Sequence, residues 1–281
     1  MAGMTRSEGD SRVRARSRGG RFAWAVAGVV GEVLITTGVF VFLFLGWQLW
    51  LNDIIQGNAQ RDEALALSQS FAGEAAGEAP GEAPAVSPQP PPPDPSATPS
   101  PSSGPSTGGF GDPFVSSASS VNTRFATIYV PRFGDDYVRT IAEGVSAGTV
   151  LKTNIGHYPG TQMPGEVGNF ALAGHRTTYG APFNRIADLR VGDEIIIQTA
   201  DGWYTYVFRS LEYVLPTGVG VLDEVPQNAG LAPTERVMTM TSCNPLLSAA
   251  ERIIAYSVFE SWQPTSAGPP DAVTSLVEQQ A

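Results

Sequence analysis

The sequence is poor in cysteine and histidine: its 281 residues include one cysteine, Cys243, and two histidines, His157 and His175. A single cysteine excludes an internal disulfide, so the thiol is a buried structural group, an intermolecular bridge or a reactive nucleophile. Basic residues are also scarce after residue 51, where 11 lysines and arginines stand against 24 acidic residues. This acidic balance argues against nucleic acid as a partner, because binding phosphates requires clustered Lys and Arg.

The basic residues before residue 52 are arginines near the N terminus, and they precede a long apolar stretch at 23–51. The strongest part of this stretch begins at Val33 and ends at Leu51, close to the roughly 20 residues that span a bilayer. The positive-inside rule predicts a basic cytoplasmic tail at 1–22, a transmembrane anchor at 23–51 and an extracytoplasmic remainder. A cleaved signal peptide fits less well, because no small-x-small cleavage site follows. Glu32 is then expected at the cytoplasmic interface, just before the span.

Residues 52–120 are predicted to form a disordered linker. A Gly-Glu-Ala unit repeats three times, and 12 of the 23 prolines fall between Pro80 and Pro113. Such a composition offers few apolar side chains to bury. At about 3.1 Å per residue in the polyproline II form, this tether would hold a domain on the order of 100 Å from the membrane. For the first part of the segment, 53–70, a continued helix is the alternative.

From residue 121 to 262 the pattern changes to short β-branched and aromatic runs separated by Gly, Pro and Asp turns. Short strands with frequent turns are typical of an antiparallel barrel or sandwich. The predicted strands are 125–130, 170–173, 194–199, 203–214, 237–242 and 253–259, with short helices near 138–143 and 181–189. The polar tail at 263–281 is expected to be partly disordered.

Cys243 closes a run of alternating side chains, which is the pattern of a two-faced strand. Pro245 follows closely, and proline stops strand pairing. His175 also follows an apolar run, and a thiol nucleophile needs an imidazole to act as base and then as acid. By composition either histidine could serve this role. His157, which lies in a turn-rich stretch, is equally compatible with a surface histidine.

Arg252 follows Cys243 by nine residues and begins the next predicted strand. The intervening loop allows the two strand ends to lie side by side, with the guanidinium near the thiol. There it could donate to a peptide carbonyl or to a developing oxyanion. A surface arginine paired with Glu251 is the alternative.

Two segments carry a resemblance to a known family: IGHYPGTQMPGEVGNFALAGHRTTYGAPFNRIADLRVGDEIII at 155–197 and TMTSCNPLLSAAERIIAYSVF at 239–259. They resemble the sortases, most closely the class E sortases of high-GC Gram-positive bacteria. The resemblance covers roughly 127–259 and implies an all-β fold, the eight-stranded sortase-type β-barrel with short helices. It also implies a catalytic triad in which Cys243 is the nucleophile, His175 the general acid/base and Arg252 the stabiliser of the oxyanion. His157 lies outside this triad, as a structural or substrate-adjacent residue.

The activity implied by the resemblance is that of a membrane-anchored cysteine transpeptidase, chemically a thiol protease. It would cut the C-terminal sorting signal of a secreted protein, of the Leu-Ala-x-Thr-Gly type, between Thr and Gly. Through a thioacyl intermediate it would then join the protein to an amino group of the peptidoglycan cross-bridge or its precursor. This chemistry requires no metal or organic cofactor. The candidate substrate-binding residues are Tyr129, Tyr137, Thr177 and Thr241.

Two alternative functions remain open from the sequence. The first is a pilin-polymerising sortase, which a lid ahead of the barrel would favour, and Asp112-Pro113-Phe114 slightly resembles a lid element. The second is a catalytically silent, wall-associated binding module, in which Cys243 would be incidental.

Overall fold

The computed structural model describes residues 18–47, 52–77 and 109–278. The chain forms two compact units, residues 1–51 and 52–281. In the first unit, helix α1 (Arg18–Gly46) contains a segment, Phe22–Gly46, with a mean hydropathy of 2.2 that is long and apolar enough to cross a membrane. This segment begins well before Val33, because apolar residues already continue the helix from Phe22. Glu32 therefore lies within the candidate span. The sequence analysis had predicted it at the cytoplasmic edge. Residues 48–51 lie outside the described residues.

The second unit is built around a closed barrel of eight strands in the order β1-β2-β3-β4-β7-β8-β6-β5. Neighbouring strands are antiparallel, except for the parallel pairs β2/β3 and β4/β7. The strands are β1 (Arg124–Tyr129), β2 (Val138–Glu143), β3 (Ile155–His157), β4 (Gly168–Ala173), β5 (Glu194–Gln198), β6 (Gly202–Val214), β7 (Arg236–Asn244) and β8 (Glu251–Pro264). The predicted all-β barrel is confirmed.

Alternation along each strand divides the side chains between the barrel interior and its outer face. In β1, Ala126 and Ile128 point into the main core, whereas Tyr129 points outward. In β5, Ile196 likewise faces outward between two inward neighbours. The outward side chains of β1, β2, β5 and β6 form a second apolar cluster, which needs a cover to be buried.

Helix α2 (Asn52–Gly77) supplies part of that cover by packing on β1 and β2. One residue in every three or four along it is buried: Gly57, Gln60, Ala64, Ser68 and Phe71. The prediction of disorder over 52–120 is therefore wrong for 52–77, and the helical alternative applies there. The chain on both sides of 78–108 belongs to the barrel unit. Residues 78–108, which belong to the predicted linker, lie outside the described residues.

The C-terminal segment completes the cover. Helix α4 (Asp271–Glu278) buries Val273 and Leu276 in the same outer cluster as Ala64 of α2. The prediction of a partly disordered tail is thus wrong for these residues, because two apolar side chains three positions apart share the face turned to the barrel. The remaining helices are short: α3 (Val150–Thr153) and 3₁₀ turns at Pro131–Phe133, Ile186–Asp188, Val219–Leu222 and Thr265–Ala267.

Candidate active site

Cys243 and Arg252 are directly opposite each other in the antiparallel pair β7/β8. Residues paired in this way project to the same face of a sheet, with their Cβ atoms about 4.5–5.5 Å apart. Met238 and Met240 of β7 point into the core, so Thr239, Thr241 and Cys243 project to the outer face. Both Cys243 and Arg252 are partly exposed. The strand register alone therefore places the Arg252 and Cys243 side chains next to each other on one face, both in reach of solvent.

His175 reaches the same place from the other neighbour of β7. Strand β4 runs parallel to β7, with Ala173 opposite Thr241. Beyond β4 the pairing continues, since the N–H of Gly174 donates to the Thr241 carbonyl at 3.1 Å. The Ser242 hydroxyl in turn donates to the Gly174 carbonyl at 2.8 Å. Continued by two residues from the Ala173–Thr241 pair, this register predicts that His175 lies beside Cys243.

The imidazole of His175 is half-buried, and its ring lies against Tyr179 with 5.0 Å between ring centroids. Within the described ranges, its Nε2 atom is buried and has no hydrogen-bond partner. Burial lowers the pKa of His175, and the charge of Asp53 opposes that shift. Within the described residues, no protein group therefore competes with a substrate for a hydrogen bond to this nitrogen.

The guanidinium of Arg252 is not paired with Glu251, as the alternative from the sequence would require. Its Nη1 donates to the backbone carbonyls of Ala249 and Glu251, at 3.1 and 3.0 Å. The carboxylate of Glu251 instead accepts a hydrogen bond from Asn244 Nδ2 at 3.0 Å. A guanidinium carries five N–H groups, and these two bonds use only one of its nitrogens. Arg252 therefore keeps donors for a substrate carbonyl.

Known proteins share this architecture. Residues 128–260 match the family model of the sortase domain. Sortase SrtE1 of Streptomyces coelicolor is 33% identical in an alignment of 286 positions that covers 98% of this chain and 68% of that protein. The chain belongs to the sortase family.

Solved sortase structures extend the agreement to the folded domain. A sortase called SrtA from Actinomyces oris is 36% identical, with a TM-score of 0.55 over 58% of this chain and 94% of that chain. Sortase E1 from Streptomyces coelicolor, solved with a tripeptide in its active site, is 39% identical. Its TM-score is 0.50 over 53% of this chain and 96% of that chain. The predicted similarity to class E sortases is confirmed.

Arg176 is a site residue that the sequence analysis missed. It is buried, and its Nη1 donates to Asn244 Oδ1 at 2.7 Å and to the Cys243 carbonyl at 3.3 Å. Asn184 Nδ2 donates to the Arg176 carbonyl at 3.0 Å, which holds the chain after His175 in place. Arg176 thereby ties the histidine segment to the end of β7. The only signal in the sequence is its position directly after His175.

Two of the four candidate substrate residues are not at the site. Tyr129 is fully buried beneath α2, and its hydroxyl lies 2.9 Å from both Ser68 Oγ and Gln198 Oε1. Tyr137 is buried among core residues, and its hydroxyl donates to the Pro182 carbonyl at 2.7 Å. Neither side chain is available to a peptide, because Tyr129 is covered by α2 and Tyr137 is buried in the core.

The two threonines lie nearer the thiol. Thr241 projects to the same face as Cys243, two residues before it, and shares a hydrogen bond of 2.9 Å with the Tyr158 hydroxyl. It is only 5% exposed, so it forms the floor of the site more than an open wall. Thr177, two residues after His175, is partly exposed.

His157 is structural. Its Nδ1 lies 2.6 Å from Glu143 Oε2, and its Nε2 lies 3.0 Å from both the Gln162 carbonyl and Thr161 Oγ1. Because the side chains of His157 and Glu143 are both almost fully buried, His157 cannot approach a substrate.

In the described ranges, no group of three or more His, Cys, Asp or Glu residues is arranged to hold a metal ion.

The segment that slightly resembles a lid lies far from the thiol. Asp112 is 3.4 Å from the guanidinium of Arg236, the first residue of β7, and the Phe114 carbonyl accepts a hydrogen bond from the Tyr204 hydroxyl at 2.7 Å. Cys243 is near the other end of β7. Seven residues of strand, at about 3.3 Å each, separate the two ends by roughly 23 Å. In this structure Asp112-Pro113-Phe114 does not cover Cys243.

Proposed function

We propose that this sortase is anchored in the cell membrane by α1, with a cytoplasmic N terminus, and acts outside the cell on secreted proteins. Its substrate is a C-terminal sorting signal of the Leu-Ala-x-Thr-Gly type, cut between Thr and Gly. The observation that carries the proposal is the direct pairing of Cys243 with Arg252, beside a histidine whose Nε2 is unengaged.

In the first half of the reaction, His175 takes the proton of the Cys243 thiol, and the resulting thiolate attacks the threonine carbonyl carbon. A C–S bond forms as the π bond of the carbonyl breaks, and the oxyanion is stabilised by the free N–H groups of Arg252. The C–N bond then breaks, and His175 gives its proton to the departing glycine amine. In the second half, an acceptor amine attacks the thioester and loses a proton to His175. The new amide forms as the Cys243 sulfur leaves.

The proposed acceptor is an amino group of the peptidoglycan cross-bridge or its lipid-linked precursor. One observation supports transfer to the wall over pilin polymerisation: the segment resembling a lid lies at the far end of β7 from Cys243. A silent binding module is disfavoured, because it would leave the Cys243–Arg252–His175 arrangement without a purpose.

The full-length chain in detergent micelles tests this mechanism with a fluorogenic Leu-Ala-x-Thr-Gly peptide. We expect cleavage by the wild type, a thioacyl adduct on Cys243 by intact-protein mass spectrometry, and neither in Cys243→Ala. A library varied at the second signal position tests the preference for alanine, and mass spectrometry of wall fragments separates wall attachment from pilin cross-linking. Cleavage retained by Cys243→Ala would refute the mechanism.

A further inference from the structure

Helix α2 contacts the loop that follows His175. Gln60, which is 5% exposed, donates from Nε2 to the Tyr179 carbonyl at 2.8 Å. One turn earlier, Gly57 comes so close that a Cβ atom there would lie 3.6 Å from the Gly180 carbonyl oxygen. The helix therefore packs directly on the turn at 178–181, at the edge of the candidate active site.

That turn has an unfavourable backbone. Tyr179 and Ala181 have φ values of 54° and 43°, with Gly180 at 75° between them. Left-handed φ values are uncommon for residues with a Cβ and persist where the surroundings impose them. Gln60 is such a constraint, since a Cβ atom on Gly180 would come within 2.9 Å of its Oε1. The consequence for the site is direct, because the Tyr179 ring in this turn lies against the ring of His175.

Asp53 lies on the same side of α2, four residues before Gly57 and seven before Gln60. Its carboxylate faces the backbone N–H of Gly180 and interacts electrostatically with His175. Burial raises the pKa of Asp53 and lowers that of His175, while their mutual attraction opposes both shifts. The attraction is therefore strongest in the state where the imidazole carries a proton.

Other charged or titratable groups surround His175. Tyr179 belongs to its own loop, and Arg176 is the next residue in the chain. Cys243 and Arg252 lie at the ends of β7 and β8, and Arg139 of β2 contacts α2 at Gly57. Within the described residues, Asp53 is the one carboxylate whose charge acts on His175.

We propose that α2 is a positioning element of the active site, in which Gln60 holds the 178–181 turn and Asp53 stabilises His175 in its protonated form. Asp53 and Gln60 are positioning residues, since both act through His175 and its loop. The inference rests on the proposed role of His175 as the acid that protonates the leaving amine. It assigns a function to a helix that precedes the catalytic barrel by more than 40 residues of sequence.

The electrostatic half is tested by NMR titration of the imidazole groups in the full-length chain in micelles. The chain has only two histidines, and His175→Gln assigns their signals. We expect Asp53→Asn to lower the titration midpoint of His175 and to leave His157 unchanged. Asp62→Asn is the matched control, because it removes an equal charge from an exposed position of the same helix. An unchanged His175 midpoint in Asp53→Asn, or an equal shift in Asp62→Asn, would overturn this half.

The geometric half is tested with Gln60→Ala against Asn58→Ala, an exposed neighbour on α2. Loss of one hydrogen bond predicts a fall in kcat of about fivefold with KM unchanged, together with shifted His175 signals. Unchanged kcat and unchanged His175 signals in a folded Gln60→Ala protein would overturn it. If Gln60→Ala fails to fold, Gln60→Glu removes the Nε2 donor with little change in size and is judged by the same criteria.

The titration reports on His175 whether or not the chain cleaves peptides. A shift in Asp53→Asn combined with activity in Cys243→Ala would refute the proposed mechanism and leave the Asp53–His175 interaction standing. The converse outcome, a normal requirement for Cys243 without any shift, would refute only the role of α2.

Discussion

Replacing Tyr129 by Phe distinguishes a structural role for this residue from a role in substrate binding. The hydroxyl is buried, and burial raises its pKa, so it stays protonated beside Ser68 and Gln198. Removing it deletes hydrogen bonds worth about 1 kcal/mol each in net terms. Gln198 keeps a hydrogen bond from Thr127 at 3.2 Å, which limits the cost. We therefore expect the free energy of unfolding to fall by about 1–2 kcal/mol.

For a domain of this size, 1 kcal/mol lowers Tm by about 2–4 °C, so the expected change is roughly 2–8 °C. The assay is thermal unfolding of the full-length chain in parallel with peptide cleavage, where kcat/KM should not change. Tyr213→Phe is the stability control, because Tyr213 is 54% exposed and such substitutions usually stay within about 0.5 kcal/mol. A raised KM with an unchanged Tm in Tyr129→Phe would refute the structural assignment.

Two further predictions concern the triad. Arg252→Ala should lower kcat by a factor of about 10²–10³, which is the cost of losing one oxyanion donor. Tm should not change, because the Arg252 side chain is partly exposed. Steady-state kinetics that showed only a raised KM would contradict this prediction. Burial lowers the pKa of His175 in the folded protein. Between that pKa and the unfolded value of about 6.5, the unfolded chain binds more protons than the folded chain. The free energy of unfolding therefore falls as the pH falls through this range. In chemical denaturation at several pH values, the wild type should therefore lose stability relative to His175→Gln as the pH falls below about 6.5, and the two curves should run parallel above that pH. Curves that stay parallel below about pH 6.5 as well would contradict the assignment.

Most of the barrel could be predicted from local sequence pattern. Six of the eight strands were located because their residues alternate or form β-branched runs between turns. Strand β2 was mistaken for a short helix, since nearly all of its residues are buried and α2 covers its outer face, so the alternation is absent. Strand β3 has only three residues, one of them glycine, which is too short for any periodic signal.

Helix α2 was predicted only as an alternative to a disordered linker, and only over 53–70, for a different reason. Its buried stripe consists largely of small or polar residues such as Gly57, Gln60 and Ser68, which pack closely without an apolar face. Ser68 hydrogen-bonds with the Tyr129 hydroxyl, and Gln60 donates to the Tyr179 carbonyl. Such specific polar contacts depend on the partner surface and leave no pattern along the helix itself.

The same contrast explains which site residues the sequence could reveal. Cys243 and Arg252 are neighbours in a hairpin, so their spacing and their opposition are one local fact. Asp53 is 122 positions before His175 and meets it only because α2 covers the barrel. The spacing of the proposed nucleophile and its arginine is therefore readable from the sequence, whereas the carboxylate that we propose to act on His175 comes from the helix that covers the barrel. Under this proposal, substitutions in α2 would change the pKa of His175 even where the barrel residues stay the same.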